Sequence, residues 1–141
     1  MLKKWIGILT LLALTGCAPL APAPDAQAVR IEGTPGMAVI YLVRTRPDVS
    51  YLTAPVLIGD MMLGATYAGT YIRIEVPAGR HRLSGYASDN GALTVDVERD
   101  RIYFVQHSVS GSWRATNPHS FFRVMDEARG RAAMVGASKA G

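Results

Sequence analysis

Hydrophobic residues in this chain recur with a period of two, in short runs that turn-forming residues separate. The clearest run, residues 71–76, alternates Ile72, Ile74 and Val76 with a tyrosine, an arginine and a glutamate. Such alternation is typical of a strand with one buried face, whereas an amphipathic helix repeats every 3.6 residues. Because Gly, Pro, Asn and Asp stand between the runs, as in segments 77–79 and 89–91, we expect many short strands.

An apolar run and a tight turn refine this expectation. Residues 37–43 (MAVIYLV) include no polar alternation, which predicts a central strand covered on both faces. Two further runs flank Gly59-Asp60, and this spacing predicts a hairpin with a type II′ turn. The fold class predicted is all-β: a single small β-sandwich of the immunoglobulin or transthyretin type, with about seven or eight strands.

One segment alone has a helical pattern, residues 126–135 (DEARGRAAMV). Asp126 is suited to cap its amino terminus, and Glu127 complements the helix dipole. Gly130 lowers the helix propensity by about 1 kcal/mol relative to alanine. We expect one short C-terminal helix, packed on or beside the sandwich.

The amino terminus has the features of a secretory signal peptide. Lys3 and Lys4 precede an uncharged, mostly apolar segment, residues 5–14. This segment has roughly half of the ~20 residues that a membrane-spanning helix needs, so it favours a cleaved signal over a signal anchor. The next residues, Leu14-Thr15-Gly16-Cys17, resemble the lipobox of bacterial lipoproteins.

This resemblance implies that the Cys17 thiol is lipidated and that the chain is cleaved before it. Cys17 is the only cysteine, so an internal disulfide is excluded in spite of export. Acyl chains on Cys17 would then anchor the protein to a membrane. By the same resemblance Ala18, in place of aspartate, favours the outer membrane, facing the periplasm. The alternative is an ordinary secreted protein with a cysteine near its cleavage site.

A proline-rich tether follows the cysteine. Residues 18–28 (APLAPAPDAQA) contain three of the eight prolines, and such a sequence favours extended polyproline II at about 3.1 Å per residue. We interpret it as a spacer of roughly 30–35 Å in preference to a proline-rich ligand, since it has no basic flank. The predicted organisation is a signal peptide (1–16), a lipidated cysteine with its tether (17–30) and a β-sandwich domain (31–141).

Five short stretches, taken in order, resemble the bacterial lipoproteins that carry domain of unknown function 2846. They are a strand with a Tyr-x-x-Arg pattern (38–44), the hairpin around Gly59-Asp60 with Gly64, Gly69-Thr70-Tyr71, the 77–79 turn with His81, and strand 102–105. The family usually has Asp-Gly where this chain has Gly-Asp. The resemblance covers residues 37–134 and implies a β-sandwich, shared with PEGA-type surface modules, in a lipoprotein context. It brings no catalytic residue.

Catalytic and metal-binding patterns are not recognisable in the sequence. The three histidines, His81, His107 and His119, have no metal-ligand spacing, and no second cysteine is present. We interpret His107 as a buried imidazole in the core, and we interpret His81 as a residue that fixes the preceding turn. Nucleophile elbows, phosphate loops and HExxH helices are absent. We therefore expect no enzyme, no metal and no cofactor.

Two groups of residues are candidates for binding. Trp113, Arg114 and Asn117 lie on a predicted loop between two strands, where binding commonly resides. The alternative is that Trp113 covers a sandwich edge. The second group consists of arginines at predicted strand ends, and it would form an anion-attracting rim if the turns share one end of the sandwich. Its members are Arg80, Arg82, Arg99 and Arg101.

These observations predict a lipid-anchored, non-enzymatic interaction module of the cell envelope that contacts another envelope protein or a glycan. The alternative is a lipoprotein module that binds a small molecule or a glycan. The net charge of +4 falls to near +2 when Lys3 and Lys4 leave with the signal peptide. This charge is too small and dispersed to indicate nucleic-acid binding.

Overall fold

The structure, a computed structural model, describes residues 29–48, 50–87, 91–111 and 117–141. Cys17, the tether, Trp113 and Arg114 lie outside these residues. The elements in chain order are β1 (Ala38–Arg44), β2 (Ala54–Ile58), β3 (Met61–Thr66), β4 (Thr70–Val76), β5 (Gly79–Ser84), β6 (Leu93–Val97), β7 (Ile102–Ser110), β8 (His119–Met125), α1 (Glu127–Met134) and β9 (Ser138–Lys139).

The strands form two sheets, in agreement with the predicted all-β sandwich. One sheet has the order β8-β7-β1-β4-β9, and the other has the order β3-β2-β5-β6. The two-residue strand β9 was not predicted, because so short a segment carries no periodicity. β8 begins at His119, two residues after Asn117 of the predicted loop.

β1 is the centre of the five-stranded sheet. It pairs antiparallel with β4 and parallel with β7, and every one of its residues is buried. This confirms the prediction of a strand covered on both faces. Ile40 and Leu42 face the second sheet, whereas Val39, Tyr41 and Val43 belong to a separate cluster on the outer face.

The space between the sheets is filled by the alternating residues of the strands. Ile74 and Val76 are buried there and Ile72 packs against them, as the period of two in β4 predicts. On the second sheet, Val56 and Leu83 complete the same cluster.

The outer face of the five-stranded sheet is covered by α1 and by the chain that precedes β1. Asp126 caps the helix by accepting a hydrogen bond from the backbone N–H of Arg129 (2.8 Å), as predicted. Met134 packs into the cluster of Tyr41 and Phe104. No helix in the described ranges is long and apolar enough to cross a bilayer.

Gly130 is explained by this packing. It is buried, and a methyl group at this position would overlap the ring of Phe104, whose exposed fraction is 2%. The helix therefore approaches β7 closely at a residue without a side chain. Glycine is unfavourable for helix formation at this position, but its lack of a side chain allows the helix to pack against β7.

We expect Gly130→Ala to destabilise the protein by about 1–3 kcal/mol, because overpacking forces the helix or Phe104 to move. This is opposite in sign to the effect on helix propensity alone, which would favour alanine by about 1 kcal/mol. Chemical denaturation of the two proteins gives the difference. An increase in the free energy of unfolding would contradict the close approach.

Two turn predictions are also confirmed. Gly59 has a φ of 57°, and Asp60 is not among the residues with positive φ, as in a type II′ turn. The His81 imidazole Nε2 lies 2.8 Å from the carbonyl oxygen of Pro77, so His81 fixes the turn between β4 and β5.

Candidate functional site

A cleft lies at one end of the sandwich, where β1 ends and β4 begins. Because Arg44 pairs with Thr70 in the register of these strands, the segment after β1 and the turn before β4 meet at this end. The cleft has a volume of about 480 Å³. We call it the tyrosine cleft, and its lining residues are Arg46, Pro47, Asp48, Tyr51, Tyr67 and Ala68.

A buried arginine, Arg44, holds several segments together at this end of the sandwich. Arg44 is the last residue of β1, and its exposed fraction is 0%. Its Nε donates to the carboxylate of Asp48, whose side chain is only 5% exposed. A buried charge is tolerated when it is paired and its N–H groups have acceptors, and both conditions hold here.

The remaining N–H groups of Arg44 hold the backbone of two separate segments. Nη1 donates to the carbonyl oxygens of Leu52 (2.6 Å) and Thr66 (3.1 Å), and Nη2 donates to that of Ser50 (2.5 Å). Ser50 and Leu52 flank Tyr51, and Thr66 immediately precedes Tyr67. One guanidinium group therefore fixes the chain beside both tyrosines of the cleft.

Asp48 connects the cleft to a third segment. Besides Arg44, its Oδ2 accepts a hydrogen bond from the backbone N–H of Val109 near the end of β7 (3.3 Å). The loop after β7 therefore starts at this same end of the sandwich. Since Asp48 neutralises Arg44, the buried pair brings no net charge to the floor of the cleft.

Behind the cleft, His107 links three strands. Its Nδ1 lies 2.9 Å from Thr66 Oγ1 and its Nε2 lies 3.0 Å from Ser120 Oγ, and its ring stacks on Phe122 at 4.5 Å between centroids. Burial lowers the pKa of His107 to about 4, to which the positive charge of Arg44 also contributes, against the opposing effect of Asp48. The imidazole is thus neutral at ordinary pH, and the core-histidine interpretation is confirmed.

A serine beside a histidine is also the arrangement of a nucleophile and its base. The exposed fraction of Ser120 is 1%, and its Oγ accepts a further hydrogen bond from the backbone N–H of Tyr86 (3.1 Å). The hydroxyl is enclosed between the sheets and has no path to a substrate. The Ser120–His107 contact therefore joins β8 to β7 as a structural bridge.

The two tyrosines of the cleft project outward from fixed backbone. Tyr51 is 94% exposed and Tyr67 is 46% exposed. The backbone N–H and carbonyl of Tyr67 are both bonded to Thr70 Oγ1, at 3.1 and 2.8 Å. Neither phenol hydroxyl has a hydrogen-bond partner in the part of the chain that the structure describes, so both are open to a ligand.

Arg46 provides the accessible charge of the cleft. Its Nε donates to the carbonyl oxygen of Ala68 (2.9 Å), which orients the guanidinium. A methyl group at Gly69 would overlap the Arg46 side chain, so Gly69 leaves room for this orientation. Among the described residues no carboxylate forms an ion pair with Arg46.

Of the three loop residues that the sequence predicts for binding, Asn117 lies within the described residues. Asn117 is exposed and precedes β8, whose first residue pairs with the last residue of β7. Asn117 therefore lies at the same end as the tyrosine cleft. The structure does not describe Trp113 and Arg114, and their predicted role stays a prediction.

The predicted arginine rim lies at the opposite end. Gly79 pairs with Val97, so the turns that precede β5 and follow β6 share one end, as the sequence analysis required. Acidic residues are interleaved with the arginines there, since Arg80 stands opposite Asp96 in register and Arg101 pairs with Glu98 (2.9 Å). The electrostatic potential at this end is therefore of mixed sign. Three of the predicted rim residues, Arg80, Arg99 and Arg101, lie at this end. Arg82 does not, because it stands opposite Thr94, one pair from the other end of the β5–β6 ladder, so the prediction of a rim of four arginines is wrong for Arg82.

Sequence reasoning missed the cleft. Arg44 entered only as the end of a Tyr-x-x-Arg pattern, and Tyr51 and Tyr67 stood in segments without periodicity. The available signal was an arginine directly after seven apolar or aromatic residues, 37–43, that are predicted to be buried. No cluster of three or more metal-ligating side chains occurs in the described ranges.

Comparisons with known proteins give no relative to set beside this site. No protein-family model, no curated protein and no solved structure matches the chain.

Proposed function

We propose that this protein is a lipid-anchored, non-enzymatic interaction module of the cell envelope, held in the outer membrane by acyl chains on Cys17. The lipobox resemblance of residues 14–17 and the proline-rich tether support the anchoring. The tyrosine cleft is the observation that carries the proposed interaction, because it exposes two aromatic rings and the guanidinium of Arg46 on hydrogen-bonded backbone. Aromatic residues and arginine are the residue types that dominate contact surfaces.

The attachment of the tether to the sandwich supports the same proposal. Tyr41 Oη accepts a hydrogen bond from the backbone N–H of Glu32 (2.9 Å) and donates to the carbonyl of Glu32 (3.1 Å). Val29 and Ile31 pack on the outer cluster. The predicted tether therefore leads directly into a segment that is held against the sandwich.

Photo-cross-linking in living cells tests the interaction. A photoreactive residue replaces Tyr51, and a matched control replaces Arg99, which is exposed at the opposite end. We expect specific adducts from position 51 that are absent from position 99. Equal adduct patterns from both positions would contradict the cleft as the contact surface.

The lipid anchor has its own test. Cys17→Ser removes the thiol that is acylated, and we expect the variant to incorporate no labelled palmitate in growing cells, because the acyl chains that anchor the protein have no attachment site. The matched control Ala18→Ser keeps the cysteine and should incorporate the label as the unaltered protein does. Equal labelling of the Cys17→Ser protein and the unaltered protein would contradict lipid anchoring at Cys17.

A second candidate function is a module that binds a glycan or another small molecule. The volume of the cleft, about 480 Å³, lies in the range of about 300–1,000 Å³ typical of small-ligand sites. A pocket with apolar walls and a few polar groups is also the usual composition of such sites.

A further inference from the structure

We propose that the tyrosine cleft binds a pyranose sugar that carries an anionic group, a carboxylate or a phosphate. This inference rests on the second candidate function above and names its ligand class. Three properties of the cleft support it: the aromatic walls, the sign of the accessible charge, and the kind of hydrogen-bonding groups that remain open.

The aromatic walls suit the apolar face of a sugar ring. The faces of aromatic rings carry partial negative charge, and they attract the slightly positive C–H groups on one face of a pyranose. Tyr51 and Tyr67 both line the cleft, and their phenol hydroxyls are open to bond with sugar hydroxyls. Pro47 also lines the cleft and adds an apolar surface.

The backbone that carries the exposed Tyr51 ring is held in place. Arg44 binds the carbonyl on each side of Tyr51, at Ser50 and Leu52. Leu52 N–H additionally donates to Ser50 Oγ (3.2 Å). Because this backbone is already ordered, ligand binding to the ring costs little backbone conformational entropy, which favours affinity.

The accessible charge of the cleft is positive. Asp48 is engaged by the guanidinium of Arg44 and by the N–H of Val109, whereas Arg46 is exposed and, within the described ranges, bonds only to the carbonyl of Ala68. Arginine matches carboxylate and phosphate groups through its paired N–H donors. The open Nη1 and Nη2 of Arg46 are therefore the groups for the anion.

The hydrogen-bonding groups favour a sugar over an extended peptide. A bound peptide strand needs main-chain partners, and four carbonyls beside the cleft already accept hydrogen bonds from arginine. Arg44 donates to those of Ser50, Leu52 and Thr66, and Arg46 donates to that of Ala68. The side chains that line the cleft offer two phenols and a guanidinium, which suit a ligand rich in hydroxyls.

Calorimetric titration of the full-length lipoprotein in detergent micelles tests the proposal. The probes are glucuronate and glucose 6-phosphate, with glucose as the neutral ring and acetate and inorganic phosphate as anions without a ring. We expect saturable binding of at least one anionic sugar, about tenfold or more tighter than glucose, because a charge-assisted hydrogen bond is lost with the anion. The free anions should bind more weakly than the corresponding sugar.

Variants assign the binding to the cleft. Arg46→Gln should reduce the affinity for the anionic sugar to that for glucose. Tyr51→Ala and Tyr67→Ala should each weaken it about tenfold, because a stacked ring is lost. Arg99→Gln, at the opposite end, is the control and should bind as the unaltered protein does.

Several results would overturn the proposal. They are no saturable binding of either anionic sugar, binding unaffected by Arg46→Gln or by the tyrosine variants, or acetate and phosphate binding as tightly as the sugars. If position 51 still cross-links to an envelope protein while no sugar binds, the sugar proposal fails and the proposed interaction function stands. If neither occurs, both fail.

Discussion

Replacing Arg44 with methionine is expected to destabilise the fold by about 3–5 kcal/mol, the usual effect of removing one partner of a buried ion pair. Asp48, with a side chain 5% exposed, would be left as an uncompensated buried charge. The carbonyls of Ser50, Leu52 and Thr66 would also lose their donor. Chemical denaturation followed by circular dichroism measures the change in the free energy of unfolding.

Two further variants separate the buried pair from a general effect of lost charge. Arg101→Met breaks an ion pair with Glu98 whose side chains are both more than half exposed, and it should change the free energy of unfolding far less than Arg44→Met, because solvent screens an exposed pair. Arg44→Met combined with Asp48→Asn should recover part of the loss, because no buried charge is left unpaired. Equal losses for Arg44→Met and Arg101→Met would contradict the role assigned to Arg44.

Much of the fold was predictable because its signals are local in sequence. The alternation in β4, the doubly apolar β1 and the Gly59-Asp60 turn each depend on a few consecutive residues, and each is confirmed. The Asp126 cap is likewise a local pattern. Such features need no knowledge of which strands become neighbours.

The parallel pairing of β1 with β7 was not predictable in the same way. It joins segments that are distant in sequence, and no turn between them fixes their register. The need for glycine at position 130 was equally unpredictable, because it depends on the ring of Phe104, which lies on a strand distant in sequence. The sequence alone shows only that Gly130 has an unfavourable helix propensity.

The tyrosine cleft was not predictable for a related reason. Tyr51 and Tyr67 become neighbours only because Arg44 binds the carbonyls beside both of them. The sequence pattern contains the arginine, but it does not show which carbonyl groups accept hydrogen bonds from it. Candidate binding residues were therefore sought in loops rich in charged and aromatic residues, and a site assembled by one buried side chain was missed.

The Tyr-x-x-Arg pattern, which contributed to the resemblance to domain of unknown function 2846, has a physical reason in this chain. Tyr41 holds the segment that follows the tether, and Arg44 holds the walls of the cleft. One strand thus supplies both the attachment of the domain and the base of its candidate site. Membership of the family stays a prediction.

Acid should destabilise the protein through His107. Its pKa is about 4 in the folded protein, whereas an unfolded chain has the ordinary value near 6.5. Between these values the unfolded state binds more protons, so the free energy of unfolding falls as the pH falls. The stabilisation from this group is complete above pH 6.5 and is lost towards pH 4, by about 3 kcal/mol for a shift of this size.

Replacing His107 with glutamine isolates this effect from other groups that titrate in acid. The amide stays neutral and keeps hydrogen-bonding capacity towards Thr66 and Ser120, whose hydroxyls lie 2.9 and 3.0 Å from the imidazole nitrogens. The variant should be less stable at pH 7, since it loses the stacking on Phe122, but its stability should fall less steeply between pH 6.5 and 4. Denaturation curves at several pH values give both slopes. Equal slopes would mean that His107 accepts a proton in the folded state as readily as in the unfolded state, which its burial between the sheets opposes.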